Sequence, residues 1–182
     1  MNSVPRHKVF VSYHHANDQK YRDAFDRLFA GHDGIIVPKS VQMGDIGQGL
    51  KTDTIRQKIR DEYLRDSTVT VVLIGAETWK RKHVDWEIAS SIRDTEYNPR
   101  SGLLGILLPT YPFPSPNKYN HFTIPPRLYD NIKCGFASIH LWSDDPAKVA
   151  GWIDDAYKRR KTVTPDNSCV AYANNRTGDR WT

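Results

Sequence analysis

One segment constrains the fold of this chain more than any other: residues 68–75, Thr-Val-Thr-Val-Val-Leu-Ile-Gly. It is short, rich in β-branched residues, and apolar at consecutive positions, which favours an extended strand. A strand with one face in water alternates apolar and polar residues, whereas a strand covered on both faces does not. We therefore predict that this segment is a central strand of a parallel sheet with helices on both sides.

The segments around this strand alternate between strand and helix patterns. Strands are predicted at residues 8–13, 34–38, 68–75, 103–108 and 137–142. Helices are predicted after Asn17 or Asp18 as a cap, over residues 52–65, from about Val84, and after Asp144 or Asp145 as a cap before Pro146. Alternation of this kind indicates an α/β fold with a mainly parallel sheet.

The remaining segments are predicted to be loops or an extension. Residues 39–49 contain three glycines, and residues 109–136 contain six prolines, so both are expected to be irregular and mobile. From about residue 162 the chain becomes polar and loses its periodicity. We expect one domain over residues 1–161 and a C-terminal extension, 162–182, packed on or trailing from it.

The composition limits the ligands and the cellular compartment that we expect for this chain. The net charge of +5 would attract anionic ligands such as phosphates, and it is weak support for nucleic-acid binding. The two cysteines lack metal-ligand spacing and cannot build a disulfide framework, which favours a reducing compartment. No apolar run is long enough for a signal peptide or a membrane span. We therefore expect a cytoplasmic protein that binds neither nucleic acid nor membrane.

Glu87 is the most informative polar residue. It follows the central strand, at the edge of the sheet where open α/β proteins bind ligands, and it borders the buried face of a helix, in the predicted first turn. It could be an ordinary surface glutamate near a helix N-terminus, or a carboxylate that stabilises positive charge in a ligand. Trp79 and Trp86 lie close in sequence and could supply flat apolar walls for a substrate ring.

Other candidates each have a structural alternative. Ser12 ends the first strand, where its hydroxyl could bind a phosphate or ribose oxygen, or simply the backbone. Asp45 lies in the glycine-containing loop and could reach a ligand hydroxyl. His14, His15 and His83 have no cysteine or carboxylate at ligand spacing, so we predict no metal site and interpret them as ordinary polar histidines.

Three segments together resemble the TIR-like domain family of the bacterial Thoeris antiphage defence system. They are Lys-Val-Phe-Val-Ser-Tyr at 8–13, the segment from Trp79 through Ile88, and Ile-Pro-Pro-Arg-Leu-Tyr-Asp-Asn-Ile at 124–132. The likeness covers roughly residues 6–160. It implies a flavodoxin-like three-layer fold with a central, mainly parallel five-stranded sheet. Residues 82–86 depart from the family pattern, which usually has a cysteine or serine shortly before the glutamate.

The resemblance also implies an activity. Members use NAD⁺ as a substrate, with no cofactor, release nicotinamide and make a cyclic ADP-ribose isomer that activates a separate effector, ThsA. A phage-derived trigger and self-assembly on activation are compatible with such a role. Glu87 matches the catalytic glutamate of the family. The expected substrate-binding residues are Phe10, Ser12, Tyr13, Asp45, Trp79 and His83.

Two other function classes share this fold. A non-catalytic TIR scaffold that signals by protein–protein assembly remains an alternative, because a glutamate at this position does not guarantee turnover. A receiver-like phosphoacceptor would need an acidic cluster after the first strand, and Val11-Ser12-Tyr13-His14 supplies none. Incubation with NAD⁺ separates the enzyme from the scaffold.

Overall fold

The core of the protein is a five-stranded parallel sheet. The computed structural model describes residues 7–32, 34–37, 51, 54, 57–59, 61, 64–96 and 98–182. The strands are β1 His7–Ser12, β2 Ile35–Ile36, β3 Val69–Ile74, β4 Gly102–Leu107 and β5 Ala137–Leu141. They are arranged in the order β2-β1-β3-β4-β5, and each neighbouring pair is parallel. This arrangement confirms the predicted α/β fold.

The central position of β3 is also confirmed. All six of its residues are buried, and it pairs with β1 on one side and β4 on the other. Val69, Val71 and Leu73 belong to one hydrophobic core, whereas Val72 and Ile74 belong to a second core on the opposite face. The continuous apolar run is thus explained by helices that cover both faces of the sheet.

Four helices that the structure describes in full pack on the sheet. They are α1 His15–Phe29, α2 Lys82–Ser91, α3 Pro126–Lys133 and α4 Pro146–Thr162. Buried residues of α1 and α4 share the core of Val69 and Val71, whereas those of α2 and α3 share the core of Val72 and Ile74. The result is three layers. No helix in the described part of the chain is both long and apolar enough to cross a bilayer.

Of the two predicted helix caps, the one before α4 is confirmed and the one before α1 is wrong. Asp145 caps α4, because its carboxylate accepts from the backbone N–H groups of Ala147 and Lys148, and Pro146 fills the first helical position. In contrast, neither Asn17 nor Asp18 caps α1, which begins earlier, at His15. Asp18 lies inside the helix, in a non-helical backbone conformation that kinks it.

The prediction that residues 109–136 form an irregular connector was wrong. This stretch contains a short 3-10 helix, His121–Thr123, and the whole of α3. The prolines that suggested a loop have a different role at α3. Pro126 occupies the first turn, where a backbone N–H would have no partner inside the helix, so the missing N–H of proline costs nothing. The Tyr111 hydroxyl accepts from the backbone N–H of Asn120 and pairs with the Thr123 hydroxyl, at 2.9 and 2.6 Å, which fixes the path leading to it.

Other predictions fall largely outside the described residues. The glycine-containing segment 39–49 lies there entirely, and so does half of the predicted helix 52–65. Of the described half, Thr54, Gln57, Lys58, Ile59 and Asp61 are helical, whereas Leu64 and Arg65 are not.

Candidate active site

The sheet topology creates one natural crevice. From β1 the chain moves to the edge strand β2, and β3 then lies on the other side of β1, so the direction of strand order reverses between β1 and β3. Ligands in open parallel sheets bind outside the carboxyl ends of the strands at such a point. Ser12 ends β1 there and pairs in register with Val72 of β3.

Glu87 lies on α2 and faces the end of β1. The Ser12 hydroxyl donates a hydrogen bond to Oε2 of the Glu87 carboxylate, and both residues are buried. The predicted location of Glu87 in the first helical turn was wrong, because α2 begins at Lys82 rather than near Val84 and Glu87 is in its second turn.

Burial changes the acidity of Glu87. The residue is 7% exposed, and loss of solvation raises the pKa of its carboxyl group from 4.5 to about 8. The hydrogen bond from Ser12 opposes this rise, since it stabilises the ionised form. A carboxyl group with a strongly raised pKa at a ligand-binding edge is typical of functional sites.

His83 is one helical turn before Glu87, and thus on the same side of α2. Its Nε2 lies 3.0 Å from the backbone oxygen of Tyr13, and burial lowers its pKa to about 4, so the ring is neutral at physiological pH. The Tyr13 ring stacks on His15 with centroids 4.3 Å apart, and the Tyr13 hydroxyl donates to Oε1 of Gln19 at 2.6 Å. The structure therefore brings Ser12, His83, Glu87 and the Tyr13 backbone together, whereas the Tyr13 ring packs in the core that α1 shares.

Phe10 and Trp79 are both buried. Phe10 belongs to a small hydrophobic cluster with Ile59, Leu64 and Trp86. Trp79 is 2% exposed and lies in the 3-10 helix Thr78–Lys80, which leads from β3 into α2. The structure therefore places both rings inside the protein, and their contact with a substrate stays a prediction. Asp45 lies outside the described residues, so its role stays a prediction too.

Asp18 is a buried carboxylate beyond the ends of β3 and β4, and the sequence did not identify it as a candidate site residue. It is 1% exposed and packs so closely against Gly75, just after β3, that a Cβ on Gly75 would stand 2.3 Å from Oδ2 of Asp18. The Thr110 hydroxyl, beyond the end of β4, donates to Oδ1 at 3.1 Å, and burial raises the pKa of the carboxyl group. A glycine directly after the central strand was the available signal, since it permits this close approach.

Comparison with known protein families agrees with this geometry. The model of one family, described as "Thoeris protein ThsB, TIR-like domain", matches residues 10–111, which is more than half of the chain. The chain belongs to this ThsB TIR-like domain family. The matched region includes β3, α2 and β4, and it contains Ser12, His83 and Glu87. No curated protein matches the chain.

Membership in the ThsB family links the chain to Thoeris antiphage defence, a system that includes a partner effector. The TIR-like fold is compatible with cleavage of NAD⁺. The resemblance drawn from residues 8–13, 79–88 and 124–132 is confirmed as to family. The third of these segments lies outside the matched region and forms the 3-10 helix to α3 junction and α3 itself.

Proposed function

We propose that this ThsB-family protein is a TIR enzyme that cleaves NAD⁺ between nicotinamide and ribose and makes a cyclic ADP-ribose isomer as an antiphage signal. The observation that carries the proposal is the buried Glu87 carboxyl group, held by the Ser12 hydroxyl at the point where the strand order reverses. A carboxyl group is costly to bury, so its presence there supports a functional role.

The chemistry needs a negative charge rather than a metal or a strong base. When the bond between the ribose anomeric carbon and the nicotinamide nitrogen breaks, its electron pair leaves with nicotinamide, which becomes neutral. Positive charge develops on the ribose, as in glycosidic cleavages with oxocarbenium-like transition states. The Glu87 carboxylate, fixed in a site of low polarity, stabilises that charge. We expect no metal and no cofactor besides the substrate NAD⁺.

Cyclisation completes the reaction. A hydroxyl or ring nitrogen of the same ADP-ribose attacks the anomeric carbon, and any proton on the attacking atom is released. Water must be excluded from the ribose for this attack to be faster than hydrolysis. The burial of Ser12 and Glu87 supports this exclusion.

The substrate itself would help to ionise Glu87. With an empty site the pKa of this carboxyl group is about 8, but the cationic nicotinamide ring of NAD⁺ would favour the negative form. Because Nε2 of the neutral His83 ring donates to the Tyr13 oxygen, its Nδ1 can accept a hydrogen bond from the substrate, and the ring adds no repelling positive charge. We place Phe10, Ser12, Tyr13, Asp45, Trp79 and His83 around the substrate in this proposal.

The product would act on another protein. We propose that the cyclic nucleotide diffuses in the cytoplasm to the effector ThsA, and that a phage-derived trigger, with or without self-assembly, starts its synthesis. The known link of the family to a defence system with a partner effector supports this scheme.

Incubation with NAD⁺ tests the proposal. The products of the purified chain are separated and compared for wild type, Glu87→Gln and Glu96→Gln, the last being the same change at an exposed glutamate beyond α2. We expect nicotinamide and a cyclic ADP-ribose isomer from wild type and Glu96→Gln only. If NAD⁺ stays intact even after exposure to phage-infected lysate, the non-catalytic scaffold becomes the better explanation.

A further inference from the structure

The last part of the chain lies along the helix that carries Glu87. Residues 167–176, which we call the strap, run in the opposite direction to α2, so that Asn167 contacts its end and Asn175 its beginning. The Asn167 side-chain amide donates to the Ala89 oxygen at 3.1 Å, and the Trp86 indole N–H donates to the Tyr172 oxygen at 2.8 Å. The strap lies wholly outside the region matched by the ThsB family.

The strap also supplies the N-terminal cap that α2 lacks. Arg81 precedes the helix but makes no side-chain capping bond. Instead, Oδ1 of Asn175 accepts from the backbone N–H of Lys82 at 2.9 Å. The backbone N–H of Arg176 donates to the Lys80 oxygen at 2.7 Å, which ties the strap to the 3-10 helix as well. A residue distant in sequence thus satisfies a free donor of the first helical turn.

A buried ion pair joins the strap to α2 and α3. The Arg127 side chain donates to Asp85 at 2.9 Å, and both side chains are 2% exposed. The backbone N–H of Tyr172 donates to the other Asp85 oxygen at 2.9 Å, and Arg127 donates to Oδ1 of Asn167 at 2.7 Å. Asp85 therefore receives directional bonds from two different elements.

These bonds act on the side of α2 opposite to the site. Asp85 and Glu87 are two residues apart, which corresponds to about 200° around a helix. The apolar stripe of α2, with Val84 and Ile88, is held by hydrophobic contacts, which have no directional preference. The hydrogen bonds of the strap and of Asp85 hold the rotation of α2 from that side, as the contacts of Glu87 with Ser12 and of His83 with the Tyr13 oxygen do from the site side.

We propose that Asp85, Arg127 and the strap position α2 so that the Glu87 carboxyl group meets Ser12 and the substrate. Asp85, Arg127, Tyr172 and Asn175 are then positioning residues, since none of them touches the reacting atoms. This inference rests on the proposed function. A misplacement of about 1 Å at a reacting group can cost about 100-fold in rate, so small rotations of α2 matter.

The first test is the double variant Asp85→Asn/Arg127→Met in the full chain. It removes both charges together, which avoids leaving one of them buried and unpaired. We expect kcat to fall about 10- to 100-fold with KM changed less than about threefold, since α2 carries Glu87 rather than a binding surface alone. The matched control is Asp94→Asn/Arg100→Met, which removes an ion pair that is more exposed, just beyond α2, and should keep wild-type turnover.

A second series addresses the cap and does not depend on the double variant folding. Asn175 is exposed, so Asn175→Ala should fold; we expect it to lower kcat, and Asn175→Asp to restore it, since aspartate caps equally well. Asn174→Ala is the control, because Asn174 is an exposed neighbour of the same type. Wild-type kcat in both Asn175→Ala and a folded Asp85→Asn/Arg127→Met protein would overturn the proposal.

Hydrogen exchange separates this inference from the proposed function. If the wild-type chain does not cleave NAD⁺, the proposed function fails, but exchange of the α2 amides still reports on the strap. Faster exchange in α2 with unchanged exchange in β3, in Asn175→Ala but not in Asn174→Ala, supports the positioning of α2. Identical α2 exchange in wild type and Asn175→Ala overturns it.

Discussion

Glu87→Gln should make the protein more stable as well as inactive. Glutamine keeps the size of the side chain and can still accept the hydrogen bond from Ser12, but it cannot ionise. In the wild-type protein the pKa of Glu87 is raised by burial from 4.5 to about 8. The folded protein therefore keeps a proton on Glu87 over a pH range in which the unfolded chain has lost it.

The sign and size of the effect follow from this difference. Because the folded state binds more protons between about pH 4.5 and 8, the free energy of unfolding contributed by Glu87 falls as the pH rises through this window. The fall is about 1.4 kcal/mol for each pH unit. Burial of Glu87 thus costs about 3 kcal/mol near neutral pH, and its cost disappears below about pH 4.5.

Chemical denaturation of wild type and Glu87→Gln at a series of pH values measures this. We expect the two proteins to be about equally stable near pH 4 and Glu87→Gln to be more stable by about 3 kcal/mol at pH 7. Glu96→Gln, at an exposed glutamate, should follow the wild-type curve. Parallel curves for wild type and Glu87→Gln, or a Glu87→Gln protein that is less stable throughout, would refute the assignment of a buried, proton-binding Glu87.

Three further predictions concern the site and its control. Ser12→Ala removes a hydrogen bond that favours ionised Glu87, so the rising limb of the pH profile of kcat/KM should move to higher pH; an unmoved limb would contradict this. Trp79→Ala should lower the free energy of unfolding by about 3–5 kcal/mol, since the ring is buried, and should also weaken substrate use; wild-type turnover of NAD⁺ by a folded Trp79→Ala protein would remove Trp79 from the substrate-binding residues. Purified wild-type protein should turn over NAD⁺ weakly until phage-infected lysate is added, and full activity without lysate would remove the expected trigger.

The sequence predicted what depends on local pattern. The central strand could be recognised in residues 68–75 because every position in Val69–Ile74 is buried, which makes the segment continuously apolar. The start of α4 could be recognised from Asp145 and Pro146 because helix capping depends on neighbouring residues only. The position of Glu87 on the helix that follows the central strand could be predicted from the same pattern. The contact of Glu87 with Ser12 could also have been predicted, because both residues lie at the edge of the sheet where β1 and β3 end.

The sequence could not predict contacts between distant segments. Asp85 binds Arg127, 42 positions away, and the Tyr172 N–H, 87 positions away, and no periodicity links these residues. Loss of apolar periodicity after residue 162 suggested an extension packed on or trailing from the domain, but it gave no sign that Tyr172 is buried and hydrogen-bonded at both backbone and side chain. The depth of Glu87 was missed for a related reason, since a glutamate at the border of an apolar stripe is usually exposed.

Product formation in infected cells tests the central claim most directly. Cells that carry the wild-type chain, Glu87→Gln or Glu96→Gln are infected with phage, and NAD⁺, nicotinamide and cyclic ADP-ribose isomers are measured over the course of infection. The account predicts that the cyclic nucleotide accumulates and NAD⁺ falls with wild type and Glu96→Gln, and that neither change occurs with Glu87→Gln expressed at the same level. Equal accumulation with Glu87→Gln, or no product with wild type in cells that are nonetheless protected, would contradict it.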